Sequence, residues 1–490
     1  MPLTGVGRER GALAIVLHTH MPYVEGFGTW PFGEEWLWEA MVGCYLPLLD
    51  LLERGAPLTL SLTPVLCDQL EAPGVNERFA AFVEGVCRET HELDAAGLRA
   101  GGQEALAREL ERSWGDYEGA LERLDRCGGD LLGSLAPHAQ WTSAATHAIL
   151  PLLATDAGLR MQVQTGVDAH RARFGATSWR GGFWLPECAH APWIERALID
   201  AGASAACIEL TDRFGLGARE HLRPLQSESG IVLVPIDRAT ISLVWSDGGY
   251  PASGPYRDYH HHTVHHHKPW SNAGGAYDHD LALALAQEHA ADFVARTLAR
   301  LDKDGLGLPG GGLAVFAVDT ELFGHWWYEG LAWLGAVVEE CTRQGLELVR
   351  LDDALARWEP VPVQRPDAGS AEGVGGAEDW RASSWGAHRD LSTWSGPPVA
   401  GMAFATRAAE LEVVAAGIRA GAAAVRELLA LQASDWAFLI SRQLAAPYGW
   451  ERFEGHRQSL GRALATGEHA GVAGLGNLAV HADPASLRSP

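Results

Sequence analysis

The stretch VDTELFGHWWYEG, Val318 to Gly330, puts two acids at the end of an apolar run and then crowds them with rings. Asp319 and Glu321 are the acids; Phe323, His325, Trp326, Trp327 and Tyr328 follow. A second run, GFWLPECAH, places Glu187 just past an apolar trio, and a third, ALAIVL, leads into His18, Thr19 and His20. Two carboxylates facing one bond can cleave a glycoside: one attacks the anomeric carbon, and the other, protonated at neutral pH, delivers its proton to the leaving oxygen. An apolar setting favours the protonated form of a carboxyl group. Asp319, with Phe316 upstream and the aromatic run downstream, is the candidate acid. Glu187, with polar neighbours within reach, is the candidate nucleophile.

The pair His18 and His20 allows two chemistries. Residues i and i+2 of a strand face the same side. Two imidazoles there can ligate zinc, as in a metal-dependent carbohydrate deacetylase, or bond the hydroxyls of a sugar. The run YHHHTVHHHKPW, 259–270, reads as an exposed loop whose histidines take up metal only adventitiously. Trp385 and Trp394 flank SSWGAHRDLSTW. They serve either as flat platforms for pyranose faces or as ordinary packing between domains.

These residues need a scaffold, and the chain supplies alternating strands and helices. Apolar runs at 12–17, 58–64, 182–185, 203–210, 231–237, 240–245, 313–318 and 346–351 read as strands. Ala/Leu/Glu/Arg-rich stretches between them read as helices, so the sheet is parallel. The number of units favours a barrel over an open sheet. His18, His20, Glu187 and Asp319 each follow an apolar run directly, at the C-terminal rim where barrels build their sites. We expect a catalytic barrel over 1–360 with a helical insertion at 66–135. A Pro/Gly-rich linker at 361–380 and a helical C-terminal domain at 381–490 follow.

Bulk properties narrow the partners. The 490 residues carry 62 acids against 38 bases, a formal charge of −24. That balance disfavours nucleic acid and anionic membranes and suits a neutral substrate. Seven scattered cysteines without a C-x-x-C pair fit a reducing compartment, so the cytoplasm is expected.

The motifs together resemble glycoside hydrolase family 57, in particular its members that branch 1,4-α-glucans. HTHMPY (18–23), WLPECA (184–189), DTELFGHWW (319–327), SSWG with a tryptophan nine residues beyond, and SDWAFLI (434–440) carry the resemblance. It implies an incomplete (β/α)7 barrel with a helical insertion and a C-terminal helical domain completing the cleft. It implies a retaining double displacement on an α-1,4-glucan such as amylose or a glycogen-like polymer, without cofactor or metal. Glu187 would be the nucleophile and Asp319 the acid/base. His18, His20, Trp270, Trp385, Trp394 and Asp435 would hold substrate, with Tyr250 near the tip of a mobile loop over the cleft. The alternatives on the same site are an α-glucan hydrolase and a 4-α-glucanotransferase; an inactive glucan-binding protein is a third. Two departures stand out: Ala139 where the family usually has a glutamate, and no aspartate of the usual kind after GGYP.

Overall fold

A computed structural model of the chain describes residues 10–28, 32–175, 177–363, 382–466 and 475–487. Ten strands form one sheet: β1 (Ala12–Thr19), β2 (Thr59–Leu62), β3 (Ala139–Ser143), β4 (Gly182–Trp184), β5 (Ala205–Ile208), β6 (Leu225–Gln226), β7 (Val232–Pro235), β8 (Leu313–Asp319), β9 (Glu347–Leu348) and β10 (Val361–Pro362). Seven run parallel in the order β8-β1-β2-β3-β4-β5-β7. Every residue of β1 is buried, which fits an unbroken apolar run covered on both faces.

The sheet curls until the chain just past β7 meets β8. There the Asp237 amide donates to the Val315 carbonyl at 2.8 Å. Among the described residues no strand ladder joins β7 to β8, so the barrel is incomplete along this seam. Asp237 is fully buried, and Arg300 Nε donates to both of its oxygens at 3.0 and 2.9 Å. Removing one partner of such a pair strands a buried charge, at about 3–5 kcal/mol. The pair therefore fixes the seam strongly.

Two close contacts set the local shape. A side chain at Gly182 would meet the Trp141 indole at 2.3 Å, so β4 opens on a glycine to let β3 approach. Gly324, at φ +100°, lies against the Gly43 backbone, where a Cβ would stand 1.9 Å from the carbonyl oxygen. That contact seats the turn after Asp319 on the π-helical turn Met41–Tyr45.

The expected strand at 240–245 is a helix, Arg238–Val244. Ile241 and Val244 are buried on one face, a spacing of three that suits a helix and defeats a strand reading. The run at 346–351 yields only the two residues of β9 before the helix Leu351–Leu355 begins. β3 has no counterpart in the sequence reading, because AQWTS offers no apolar run. Ala139 opens β3 at the end away from the rim. Val361–Pro362, the first residues of the expected linker, pair with Leu225–Gln226 as β10. Residues 364–380 of it lie outside the described residues.

From Pro64 to Leu135 the chain is helical, with Arg88–Ala100 and Glu104–Arg126 as its longest members. The helices Ala400–Ala416, Ala422–Leu431, Ser434–Ser441 and Ala446–Thr466 build their own apolar cluster, which also takes in Tyr23, Val65, Ala145 and Ala189 from the barrel loops. Buried Glu410 ties the two parts, accepting from the Thr155 amide at 2.8 Å and from Gln432 Nε2 at 3.0 Å.

Candidate active site

The C-terminal rim of the sheet gathers the expected residues. His18 is in register with Ser61 of β2 on one side and Asp319 of β8 on the other. Adjacent strands lie about 4.8 Å apart, so these three ends form one floor. Asp319 is exposed on this floor while protein packs closely around it. That packing pushes its carboxyl up to about 6, with the His20 ring opposing.

Glu187 stands just past β4 in an unusual backbone state. Both Glu187 and Cys188 have positive φ, 60° and 49°. Such a state costs a non-glycine residue about 1–3 kcal/mol, and something must hold it. The segment around Ser383 does so. The His190 amide donates to the Ser383 carbonyl at 2.9 Å and the Ser383 amide returns the bond at 3.0 Å. The Trp385 amide donates to the Glu187 carbonyl at 2.9 Å, and its indole Nε1 donates to Glu187 Oε2 at 2.8 Å. Burial pushes Glu187 up to about 8; Asp319 and Asp435 add to the rise, and the indole bond opposes it.

The histidines form a row. The rings of His20 and His147 stack at 3.9 Å, those of His147 and His18 at 5.0 Å, and His18 lies on Trp184 at 4.6 Å. His18 is only 1% exposed, and both of its nitrogens are engaged: Nδ1 with Ser61 Oγ at 3.3 Å and Nε2 with His147 Nε2 at 3.0 Å. It supports the row from beneath and is not itself open to a ligand. His20 Nε2 donates to Asp435 Oδ1 at 2.9 Å. The other Asp435 oxygen is buried without a hydrogen-bond partner, an acceptor suited to a sugar hydroxyl. Burial holds His18 and His147 well below the usual histidine range, with His20's charge adding to the effect.

Glu321 reaches back across the floor. Its Oε1 accepts from the Tyr45 hydroxyl at 2.6 Å and from the His20 amide at 3.2 Å. Burial pushes its carboxyl up to about 8, against the Tyr45 bond.

A metal reading must be tested against this geometry. His20, His147 and Asp435 present ligand atoms within 4.8 Å of one another. A ligating imidazole points an in-plane nitrogen at its ion. The nitrogens of His20 are instead engaged by Thr63 Oγ1 at 3.3 Å and Asp435 Oδ1 at 2.9 Å, and those of His147 by His18 Nε2 at 3.0 Å and Ser434 Oγ at 2.9 Å. In this arrangement the imidazoles are spent on protein partners, and the deacetylase alternative draws no support from them. The His-rich run is in part docked: His265 Nδ1 bonds Asp94 Oδ1 at 2.7 Å and His267 Nε2 meets Thr90 Oγ1 at 3.1 Å.

Three expected substrate contacts are not brought to the carboxylates. The Tyr250 hydroxyl donates to Asp292 Oδ2 at 2.7 Å and its ring stacks on His289 at 4.5 Å, both on the helix His279–Asp304. In this structure it is a buried anchor of its loop. Trp270 stacks on His261 at 3.8 Å and packs against Ala95, Leu98 and Leu106 of the helical segment. Trp394 is 3% exposed and lies against Gly386, where a Cβ would meet its ring at 2.6 Å. A ring so covered has no free face for a sugar. Trp385 does join the site, through its N–H.

His147 and Ser434 were missed. His147 Nδ1 meets Ser434 Oγ at 2.9 Å, and Ser434 precedes Asp435 on a helix far along the chain. The signal for His147 lay in SAATH, a polar end to an unrecognised strand.

A curled parallel sheet with two carboxylates and a histidine row on its rim is the build of a glycoside-cleaving enzyme. The chain belongs to glycosyl hydrolase family 57. The family model matches residues 141–364, and a model of the 1,4-α-glucan branching enzyme C-terminal region matches 402–470. A 1,4-α-glucan branching enzyme of Thermococcus kodakarensis is 30% identical, over 92% of this chain and 73% of its own length. A probable 1,4-α-glucan branching enzyme of Mycobacterium tuberculosis is 31% identical, over 95% and 93%. The crystal structure of a family 57 branching enzyme from Pyrococcus horikoshii superposes with a TM-score of 0.82 at 31% identity, covering 93% of this chain and 90% of that one. An α-amylase structure from Thermotoga maritima, at 21% identity and a TM-score of 0.76, shares the fold.

Proposed function

We propose that the protein is a 1,4-α-glucan branching enzyme acting by retaining double displacement. The observation that carries this reading is the pairing of Glu187 and Asp319 on one rim, with Trp385 and Asp435 of the C-terminal segment closing onto them. The branching enzymes among its relatives supply the substrate class, an α-1,4-glucan such as amylose or a glycogen-like polymer. Ser434 and Asp435 fall within the stretch that matches the branching-enzyme C-terminal region.

Glu187 attacks the anomeric carbon of an internal α-1,4 linkage. Asp319 gives its proton to the departing oxygen, and the donor chain stays bound to Glu187 as an ester. The 6-hydroxyl of a second glucan then attacks the same carbon. Its proton passes to Asp319, the ester bond breaks, and an α-1,6 branch remains. His20 and Asp435 hold the donor sugar, with His147 and His18 setting the angle of the row.

Among the described residues no helix is long and apolar enough to cross a membrane. The cysteines are all free thiols, which supports a reducing compartment such as the cytoplasm.

Incubation with amylose, then isoamylase debranching and chain-length analysis, tests the activity. New α-1,6 branches support it. Reducing ends alone indicate a hydrolase, redistributed linear chains a 4-α-glucanotransferase, and unaltered glucan a binding protein.

A further inference from the structure

Water competes with the acceptor hydroxyl for the ester on Glu187, so transfer requires a surface that seats the acceptor. Asp319 protonates the leaving oxygen and later takes the acceptor's proton, so the acceptor must lie on the Asp319 side of the cleft. In this structure Tyr250 is bound to Asp292 and does not present that surface. A pyranose ring is apolar on its faces, and a flat indole is the natural support for it.

We propose that Trp326, backed by Tyr259, is the platform on which the acceptor glucan rests. Trp326 is 37% exposed, whereas its neighbour Trp327 is 1% exposed. It belongs to the rim turn that leaves Asp319, and its amide donates to the Glu321 carbonyl at 3.2 Å. The Tyr259 ring lies 4.4 Å from it at 33°, and the His325 ring stands edge-on at 86°. Lys268 Nζ sits 3.8 Å from the centre of the Tyr259 ring, which leaves the open surface of the pair on Trp326.

The platform is braced. Tyr259 lies two residues past Arg257, whose guanidinium stacks on Tyr328 at 3.7 Å and pairs with Glu109 at 2.5 Å. Glu109 is on the helix Glu104–Arg126, so the helical segment between β2 and β3 braces the acceptor wall. A surface already in place spends little binding energy on ordering itself. The acceptor is thus recognised as a neutral α-1,4-glucan chain by ring stacking, with its 6-hydroxyl free to reach Asp319.

This rests on the branching reading, and one reaction tests both. Wild type, Trp326→Ala, Trp326→Phe and Tyr250→Phe are each incubated with amylose, and new branches and new reducing ends are counted in the same sample. We expect Trp326→Ala to raise reducing ends per branch at least tenfold, about 1.4 kcal/mol of lost acceptor preference. Trp326→Phe, which keeps a flat ring, should stay within about threefold of wild type, and Tyr250→Phe should match it. A wild type that forms no branches sinks the activity and the platform together. An unchanged ratio in Trp326→Ala, or equal loss of both products, overturns the platform alone.

Discussion

Trp385 holds Glu187 twice: its amide donates to the Glu187 carbonyl at 2.9 Å and its indole N–H to the Glu187 carboxylate at 2.8 Å. The first bond braces a backbone held at positive φ. The second favours the ionised carboxylate, the form that attacks, against a burial that favours the neutral one. On the proposed mechanism the C-terminal segment thus takes part in the chemistry through Trp385. Trp385→Phe removes the second bond and keeps the first. Turnover should fall about tenfold or more, the order expected for a hydrogen bond to a charged group, with little change in melting temperature. Steady-state kinetics and a thermal melt on the same preparation check this.

The pH profile follows from the pair. Glu187 is pushed up to about 8 and Asp319 to about 6. Between those values the pair holds one proton, and they titrate as a unit. The reactive form has Asp319 protonated and Glu187 ionised, the minor arrangement of that single proton. kcat/KM should therefore be bell-shaped, falling below about pH 6 as a second proton binds and above about pH 8 as the last one leaves. Loss of the indole bond raises Glu187 further, so Trp385→Phe should lower the plateau and move the alkaline limb up. A profile that shifts the other way contradicts the coupling.

Glu321 is a positioning residue for His20. Burial pushes it up to about 8, which favours the neutral acid, and its Oε1 serves as an acceptor for Tyr45 and the His20 amide. Glu321→Gln keeps that acceptor and should remain within about threefold of wild-type kcat. Glu321→Ala loses both bonds and should drop kcat at least tenfold, at about 1 kcal/mol per bond. Equal loss in both variants would point to a need for the acid itself.

The proposed mechanism uses no metal, and the nitrogens of His20 and His147 are already engaged by Thr63, Asp435, His18 and Ser434. Exhaustive chelation, verified by elemental analysis, should leave branching unchanged. Activity lost on chelation and restored by zinc would return His20, His147 and Asp435 to a ligand role.

The rim carboxylates proposed as catalytic were legible because their signal is local. An apolar run that stops at an acid marks a strand end, and a parallel barrel brings such ends together. His18 and Glu187 were placed on the rim for the same reason. What escaped depends on partners distant in sequence. The Trp385 bond to Glu187 spans 198 residues, and the fixing of Tyr250 depends on Asp292, 42 residues on. The loop around GGYP offers no local sign of that partner. The burial of Trp394 follows from the path of the backbone at Gly386, which no spacing rule anticipates. His147 was hidden behind a strand, AQWTS, too polar to read as one.

The central claim is that Glu187 forms the bond to the donor sugar. An activated fluorinated glucosyl donor, whose ester turns over slowly, should leave a covalent label that peptide mass spectrometry can place. The account predicts a glycosylated Glu187 in wild type, and no label anywhere on the rim in Glu187→Gln. A label on Asp319, or one that persists in Glu187→Gln, would contradict it.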